Sequence, residues 1–330
     1  MPANLPPQYF ETEKRLKGAK TPLEKIAILE ELLSIIPKHK GTEKLQALLK
    51  TKIAKLKSAV QKKPSIAKHS PIYLVEKSGA GQVILVGPPN AGKSMLVKSL
   101  TNANPEIGEY PFTTRLPYPA MMKYKNIQIQ LVDTPPVTPD YMESWLLELI
   151  KGADGILLLV DLTNPNPVDI LKALLMKLKE RKIELISENK VFGDAEAKLF
   201  FKKALIVANK KDLTSDEKSF TRLKEFCEAK FSLISVSAFG QDGLDALKER
   251  AFYMIDVIRI YSKVPGKKVD FKAPFTLKKG SSVIDMAKAV HKDFAQKLKY
   301  ARIWSKNKYQ GQKVNRDHIL EDEDILELHI

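Results

Sequence analysis

Three hundred and thirty residues suffice for two or three domains with cores of their own, and a composition 44% hydrophobic and 28% charged excludes wholesale disorder. The single cysteine, Cys227, has no partner for an internal disulfide, and apolar runs such as Ile156–Val160 fall far short of the about 20 residues a membrane helix needs. Net charge is +16, placed unevenly: residues 1–77 hold 16 basic and 7 acidic side chains, residues 257–330 hold 16 and 9, and the middle is near neutral.

Basic flanks around a neutral centre point to a polyanion held by the ends. RNA comes first, because clustered Lys and Arg gain affinity by displacing counterions from phosphates. Lysine-rich helices that are merely solvated are the plain alternative. The first fifteen residues lack an apolar signal core, and no Cys/His cluster has zinc-like spacing, so the expectation is a cytoplasmic protein with no membrane contact.

In chain order, residues 1–77 read as a basic helical hairpin and linker. Thr21-Pro22-Leu23-Glu24 has the form of a capping box, Ile26, Leu29, Leu33 and Ile36 keep one apolar face, and Pro37 stops the helix. Thr42 starts a second helix with Leu45, Leu49, Ile53, Leu56 and Val60 on one side, ended by Lys62-Lys63-Pro64. Ser65–Gly81 reads as a linker.

Residues 78–256 change texture to short β-rich runs alternating with helical ones, the pattern of a parallel α/β sheet. Strands are expected at Val83–Val86, Ile127–Val132, Ile156–Asp161, Ala204–Ala208 and Leu233–Val236, with Glu184–Ala197 as a charged surface insertion. Gly87-Pro88-Pro89-Asn90-Ala91-Gly92-Lys93-Ser94 fits G-x-x-x-x-G-K-[ST], after an apolar strand and before a helix opening at Met95. That setting confirms a phosphate-binding loop: backbone N–H groups wrap the phosphates at a helix N-terminus, Lys93 reaches the β- and γ-phosphates, and Ser94 ligates Mg²⁺. Asp133-Thr134-Pro135-Pro136, at the end of a strand, supplies the carboxylate that holds Mg²⁺ through water, with Asp133 and Thr134 counted among the nucleotide-binding residues.

The base is read by Asn209-Lys210-Lys211-Asp212, directly after an apolar strand. A carboxylate at Asp212 accepts from N1–H and the N2 amine of guanine, whereas adenine would leave it desolvated and unpaired. Ser235-Val236-Ser237-Ala238 follows the next strand and lines the base from the other side. Tyr110-Pro111-Phe112-Thr113-Thr114 offers a threonine hydroxyl to complete the metal shell.

These boxes, in this order, resemble the translation-factor-related GTPases, and Tyr110–Thr114 with Pro117 is similar to their Obg-type branch. Residues 257–330 extend the likeness. Asp270–Leu277, His291–Phe294, Lys299–Arg302 and Ile319–Ile330 resemble the TGS domain of the developmentally regulated GTP-binding proteins, with strands at Phe275–Leu277, Arg302–Trp304 and Ile325–His329 and a helix over Val283–Lys297. The resemblance spans about residues 80–330. It implies a P-loop GTPase domain followed by a small β-grasp module, bound GTP or GDP with Mg²⁺, ribosome or ribosomal RNA partners, and Thr114 as the switch residue beside Lys93 and Asp133 in catalysis. It also implies that Asn90 helps hold a K⁺ ion near the phosphates.

One departure stands out. The family pattern D-x-x-G ends in a glycine whose N–H contacts the γ-phosphate; here Pro136 has no N–H, and Val137 follows where some relatives place a glutamine. Two readings follow: slow hydrolysis stimulated by a partner or cation, or a nucleotide-bound scaffold that does not cycle.

Overall fold

A computed structural model describes residues 6–18, 22–37, 42–61, 75–103, 116–188, 199–214, 217–228, 230–305 and 308–330. The expected features at Thr21, Lys62-Lys63-Pro64 and Tyr110–Thr114 lie outside these. The chain forms two compact units, Met1–Ile72 and Tyr73–Ile330.

The first unit contains α1 (Pro7–Gly18), α2 (Pro22–Ile35) and α3 (Glu43–Gln61). The hairpin reading anticipates α2 and α3 but not α1, whose Tyr9 is buried with Ile26, Leu29, Leu32, Ile36, Leu49 and Ile53. Leu32 is buried beside Leu29, and the expected Leu33 packs half-buried against the same cluster. Thr42 Oγ1 donates to Pro37 O at 2.5 Å, closing the turn between the helices.

The second unit opens with a seven-stranded sheet. β1 (Gln82–Val86) is wholly buried and lies between β3 (Ile127–Asp133) and β4 (Gly155–Asp161), parallel to both. Burial on both faces explains its unbroken apolar sequence. β2 (Tyr118–Tyr124) is the antiparallel edge beyond β3. On the other side β4 pairs with β6 (Phe200–Asn209), whose first half pairs with β5 (Ile183–Ser187) and whose second half pairs with β7 (Ser232–Ser235). β5 corrects the expectation that 184–197 is an insertion: Ile183, Leu185 and Ser187 are buried in alternation, and only 189–198 lie outside the described residues. The linker reading is corrected as well, because Ala80 N donates to Gln128 O at 2.8 Å and Gly79 bridges Ile129, so its end already belongs to the sheet.

Helices α4 (Lys93–Leu100) and α8 (Leu244–Met254) cover one face through Leu96, Leu247 and Phe252. Helices α5 (Leu146–Gly152), α6 (Pro167–Glu180) and α7 (Glu217–Glu228) cover the other through Leu146, Leu171 and Leu223. Cys227 on α7 is buried there, and burial pushes its thiol up to about 11. No helix among the described residues is long and apolar enough to cross a membrane.

A second sheet follows, in the order β9-β8-β12-β10-β11: β8 (Val257–Ser262), β9 (Phe275–Lys278), β10 (Tyr300–Trp304), β11 (Gln310–Val314) and β12 (Ile325–His329). Its core joins Ile260, Ile303 and Leu326 to Val283 and Met286 of α9 (Val283–Val290), which starts at a Ser282/Asp285 capping box. The helix expected over 283–297 breaks at His291. That residue is extended, ends α9, and accepts from Asp293 N at 3.2 Å to begin α10 (Lys292–Lys297).

The two sheets meet at the tip of the β2–β3 hairpin. Asn126 Nδ2 donates to Tyr261 Oη at 2.8 Å and to Phe271 O at 2.9 Å. Arg259, the largest fully buried side chain, donates to Asp322 (2.6 Å) and Glu323 (2.7 Å) with its guanidinium 5.2 Å from the Phe252 ring centre. Burial acts to lower its pKa, but the hydrogen bonds and charges of the two carboxylates together raise it.

Candidate functional site

In an open parallel sheet, ligands bind in the crevice beyond the carboxyl ends of the strands. Four loops gather there: 87–92 after β1, 134–138 after β3, 210–214 after β6 and 236–240 after β7. The sequence-expected residues fall on these loops or on the strand and helix ends that flank them, apart from Thr114, which lies outside the described residues.

The loop after β1 turns on Gly92, which caps α4 with φ +87°. A β-carbon there would meet Asn209 Nδ2 at 2.3 Å, so glycine is required both for the backbone and for the space. Asn90 also takes a left-handed φ of +57°. Lys93 folds back over the loop, its ammonium donating to Gly87 O (3.1 Å) and Pro88 O (3.0 Å). It is buried, and burial lowers its pKa to about 8 against the opposing pull of Asp133. A desolvated ammonium in a glycine-rich loop at a helix start fits a phosphate group. Ser94 Oγ donates to Asp133 Oδ2 at 2.5 Å. One hydroxyl and one carboxylate are hard oxygen donors of the kind that hold Mg²⁺ when phosphates supply the remaining ligands.

Thr134 does not face the loop with its hydroxyl, which is buried and donates to Leu85 O at 2.6 Å. Pro135 and Pro136 are buried, and Val137 N donates to Gly87 O at 3.0 Å while its side chain packs into the core. Gly87 O thus accepts from both Lys93 and Val137.

The base half is a pocket of about 330 Å³ whose walls include Gly92, Met95, Asn209, Lys210, Asp212 and Ala238. Asp212 Oδ1 accepts from Ser237 Oγ at 2.6 Å, and Ser237 Oγ accepts from Gly240 N at 2.7 Å. Ser237 therefore orients the carboxylate rather than touching the base itself. Lys210, at φ +65°, donates to Asp161 Oδ2 at 2.7 Å. Asn209 joins the two halves: its Nδ2 donates to Ala91 O at 3.0 Å and its Oδ1 accepts from Ala238 N at 3.1 Å. Sequence reasoning missed Leu213 and Phe239, which also line this pocket and are 68% and 79% exposed. Each directly neighbours an expected site residue, which is the only sequence signal they carry.

Two outcomes follow from this geometry. Asp212→Asn replaces an acceptor by a group that presents a donor to guanine. GDP affinity is expected to fall on the order of a hundredfold by calorimetry, with ADP affinity unchanged; equal loss for both would mean the pocket had collapsed. Phosphate favours charged Lys93, so binding takes up a proton once the free lysine titrates. Affinity is therefore full below pH 8 and falls as pH rises through it, to about tenfold weaker at pH 9 than at pH 7. The change should disappear in Lys93→Met.

A family model described as 50S ribosome-binding GTPase matches residues 82–190, and the TGS domain model matches 258–330. A GTP-binding protein of Methanocaldococcus jannaschii, described as uncharacterized, is 32% identical across 93% of this chain and 92% of its own. Human developmentally-regulated GTP-binding protein 2 is 26% identical across 93% of this chain and 98% of its own. The structure of the Schizosaccharomyces pombe YchF GTPase shares the fold, with a TM-score of 0.54 over 78% of this chain and all of that one, at 14% identity. With its P-loop α/β domain, its C-terminal TGS domain and these relatives, the chain belongs to the developmentally regulated GTP-binding proteins.

Proposed function

We propose that this protein hydrolyses GTP slowly, that a partner or K⁺ accelerates it, and that the cycle governs attachment to ribosomes or ribosomal RNA in the cytoplasm. The observation that carries the reading is the convergence of Lys93, Ser94 and Asp133 on one phosphate-sized loop, with Ser94 and Asp133 2.5 Å apart. Ser94 and Asp133, with Thr114, are the residues to hold Mg²⁺, which when bound neutralises charge developing on the transferred phosphoryl group. Lys93 places positive charge against the same oxygens, and Asp212, steadied by Ser237, selects guanine.

Neither Pro136 nor Val137 is equipped to orient the attacking water: Pro136 lacks an N–H, and Val137 is apolar and buried. Turnover then rests on positioning and electrostatics, which carry most phosphoryl transfer, and the remainder comes from outside the chain. Asn90 is the loop residue suited to K⁺. The ribosomal part is supported by the basic ends, the TGS domain and a family model named for 50S ribosome binding.

A second reading, a guanine-nucleotide-bound RNA scaffold that does not cycle, is favoured by the Val137–Gly87 bond, which commits the N–H nearest Pro136 to the loop itself. Multiple-turnover assays of the full chain decide between them. Hydrolysis rising at least about tenfold on replacing Na⁺ by K⁺ or on adding ribosomes supports the enzyme; no turnover above buffer in either condition leaves the scaffold. Sedimentation through sucrose with ribosomes should differ between GDP and a non-hydrolysable GTP analogue only if the protein cycles.

A further inference from the structure

Along β10 the TGS sheet alternates: Ala301 and Ile303 are buried in the core with α9, while Tyr300, Arg302 and Trp304 stand on the opposite face. Near β8 that opposite face is closed by the GTPase domain through Arg259 and Tyr261. Toward β11 it is open, and its chemistry is unusual for a solvated sheet.

Arg302 lies in register with Lys313 on β11, and both are exposed. Like charges directly opposite one another destabilise a strand pair. The carboxylate on the other flank, Glu327, is buried and already bound by Lys263 and by His329 at 2.9 Å. The face therefore carries uncompensated positive charge that an anion would relieve. Two aromatic rings border it. Tyr300 stacks on His329 at 4.5 Å with the Lys313 ammonium 4.3 Å from its ring centre, and the Lys263 ammonium lies 4.3 Å from the Trp304 ring centre. Gly311, at φ +85°, lets β11 pass close to the indole, where any side chain would meet it at 3.0 Å. Beside Trp304 a hollow of about 450 Å³, walled also by Tyr261 and Phe271 with Glu323 and Gln310 as polar groups, is roomy enough for a nucleobase.

We propose that this open half-face binds single-stranded RNA, with bases stacking at Trp304 and Tyr300 and phosphates on Arg302 and Lys313. The proposal rests on the RNA-binding part of the function proposed above and narrows it to one site. Tyr300 and Trp304 are four residues apart on one strand, about 13 Å, which makes two separate stacking stations. Base–aromatic stacking outweighs an exposed cation–π contact, so a base displaces Lys313 from Tyr300 and frees that ammonium for a phosphate. A duplex keeps its bases stacked internally and offers the rings nothing.

Fluorescence anisotropy of the full chain, saturated with GDP, tests this with a labelled ten-nucleotide single strand, the same strand in a duplex, and polyglutamate as competitor. Trp304→Leu and Tyr300→Leu should each weaken single-strand binding about tenfold with an unchanged salt slope. The Arg302→Gln, Lys313→Gln pair should lower that slope by about one to two. GDP affinity stays at the parental value throughout. Trp304 also packs on Gly311, so if Trp304→Leu fails to fold, Tyr300→Leu and the charge pair carry the test. Duplex bound as tightly as single strand, with the aromatic variants unaffected, would overturn the proposal in favour of a plain charged patch. Polyglutamate displacing the RNA at equal charge would overturn it in favour of an acidic protein partner. If RNA binding survives every TGS variant but drops on charge reversal at Lys62 and Lys63, the RNA reading stands and this site falls; if the parent binds no RNA, both fall.

Discussion

Lys93→Ala is expected to lose at least about a hundredfold in affinity for GTP and GDP, while the nucleotide-free protein unfolds within about 1 kcal/mol of the parent. The two halves of this result have one cause. Lys93 is held in a buried position where its charge is disfavoured, its pKa drawn down to about 8, with Gly87 O and Pro88 O as its hydrogen-bond acceptors among the described residues. Removing it relieves that desolvation and offsets the packing lost from its alkyl stem. Bound phosphate, by contrast, loses a buried charge-assisted contact worth ~2–5 kcal/mol, and a hundredfold is about 2.7 kcal/mol. Lys93→Met keeps the stem without the charge and should bind as poorly as the alanine variant. Calorimetry with GDP and urea unfolding of the apo protein check both halves. Parental GDP affinity in Lys93→Met would remove the phosphate-loop assignment.

Arg259→Met should cost about 2–3 kcal/mol and loosen the TGS domain from the GTPase domain. Its guanidinium is the shared partner of Asp322 and Glu323 and lies against Phe252. Breaking a buried pair by removing one member typically costs ~3–5 kcal/mol because the other charge is stranded. The figure is reduced here because Asp322 and Glu323 keep 32% and 25% of their side-chain surface, enough for water to reach them. Adding Asp322→Asn and Glu323→Gln removes the stranded charges and should recover half of the loss or more. Urea midpoints measure the cost, and limited proteolysis near Ser262–Phe271 measures the loosening. An unchanged midpoint for Arg259→Met would mean that the two sheets are held together without it, through contacts such as those of Asn126 and the Lys125–Glu323 ion pair.

What could be read from the sequence follows from how each element is stabilised. β1, β4 and the second half of β6 are buried on both faces and therefore announce themselves as apolar runs. β2 carries Pro119 and is half exposed, tolerable only at an edge, and nothing in its composition marks a strand. β11, Gln-Gly-Gln-Lys-Val, has no apolar run at all and is extended because β10 offers it a ladder. β5 hid inside a charged stretch because its Glu184 faces away from its buried isoleucine and leucine.

The site was more legible than the fold, since a phosphate loop and a guanine box impose fixed residues at fixed spacing. What spacing leaves out is which atom a side chain serves. Thr134 belongs to the expected constellation, yet its hydroxyl is spent on Leu85 O. Ser237 stands where a base contact is expected and instead steadies Asp212. Leu213 and Phe239 fit no motif, because an apolar wall has no required spelling.

The carboxamide of Asn209, gripping Ala91 on one side and Ala238 on the other, is a single rivet through two plates. Slackening at either plate is felt at the other, so discharge of the spent nucleotide should be all-or-none rather than a peeling away of base before phosphates. Prying at either plate alone should therefore free the whole ligand.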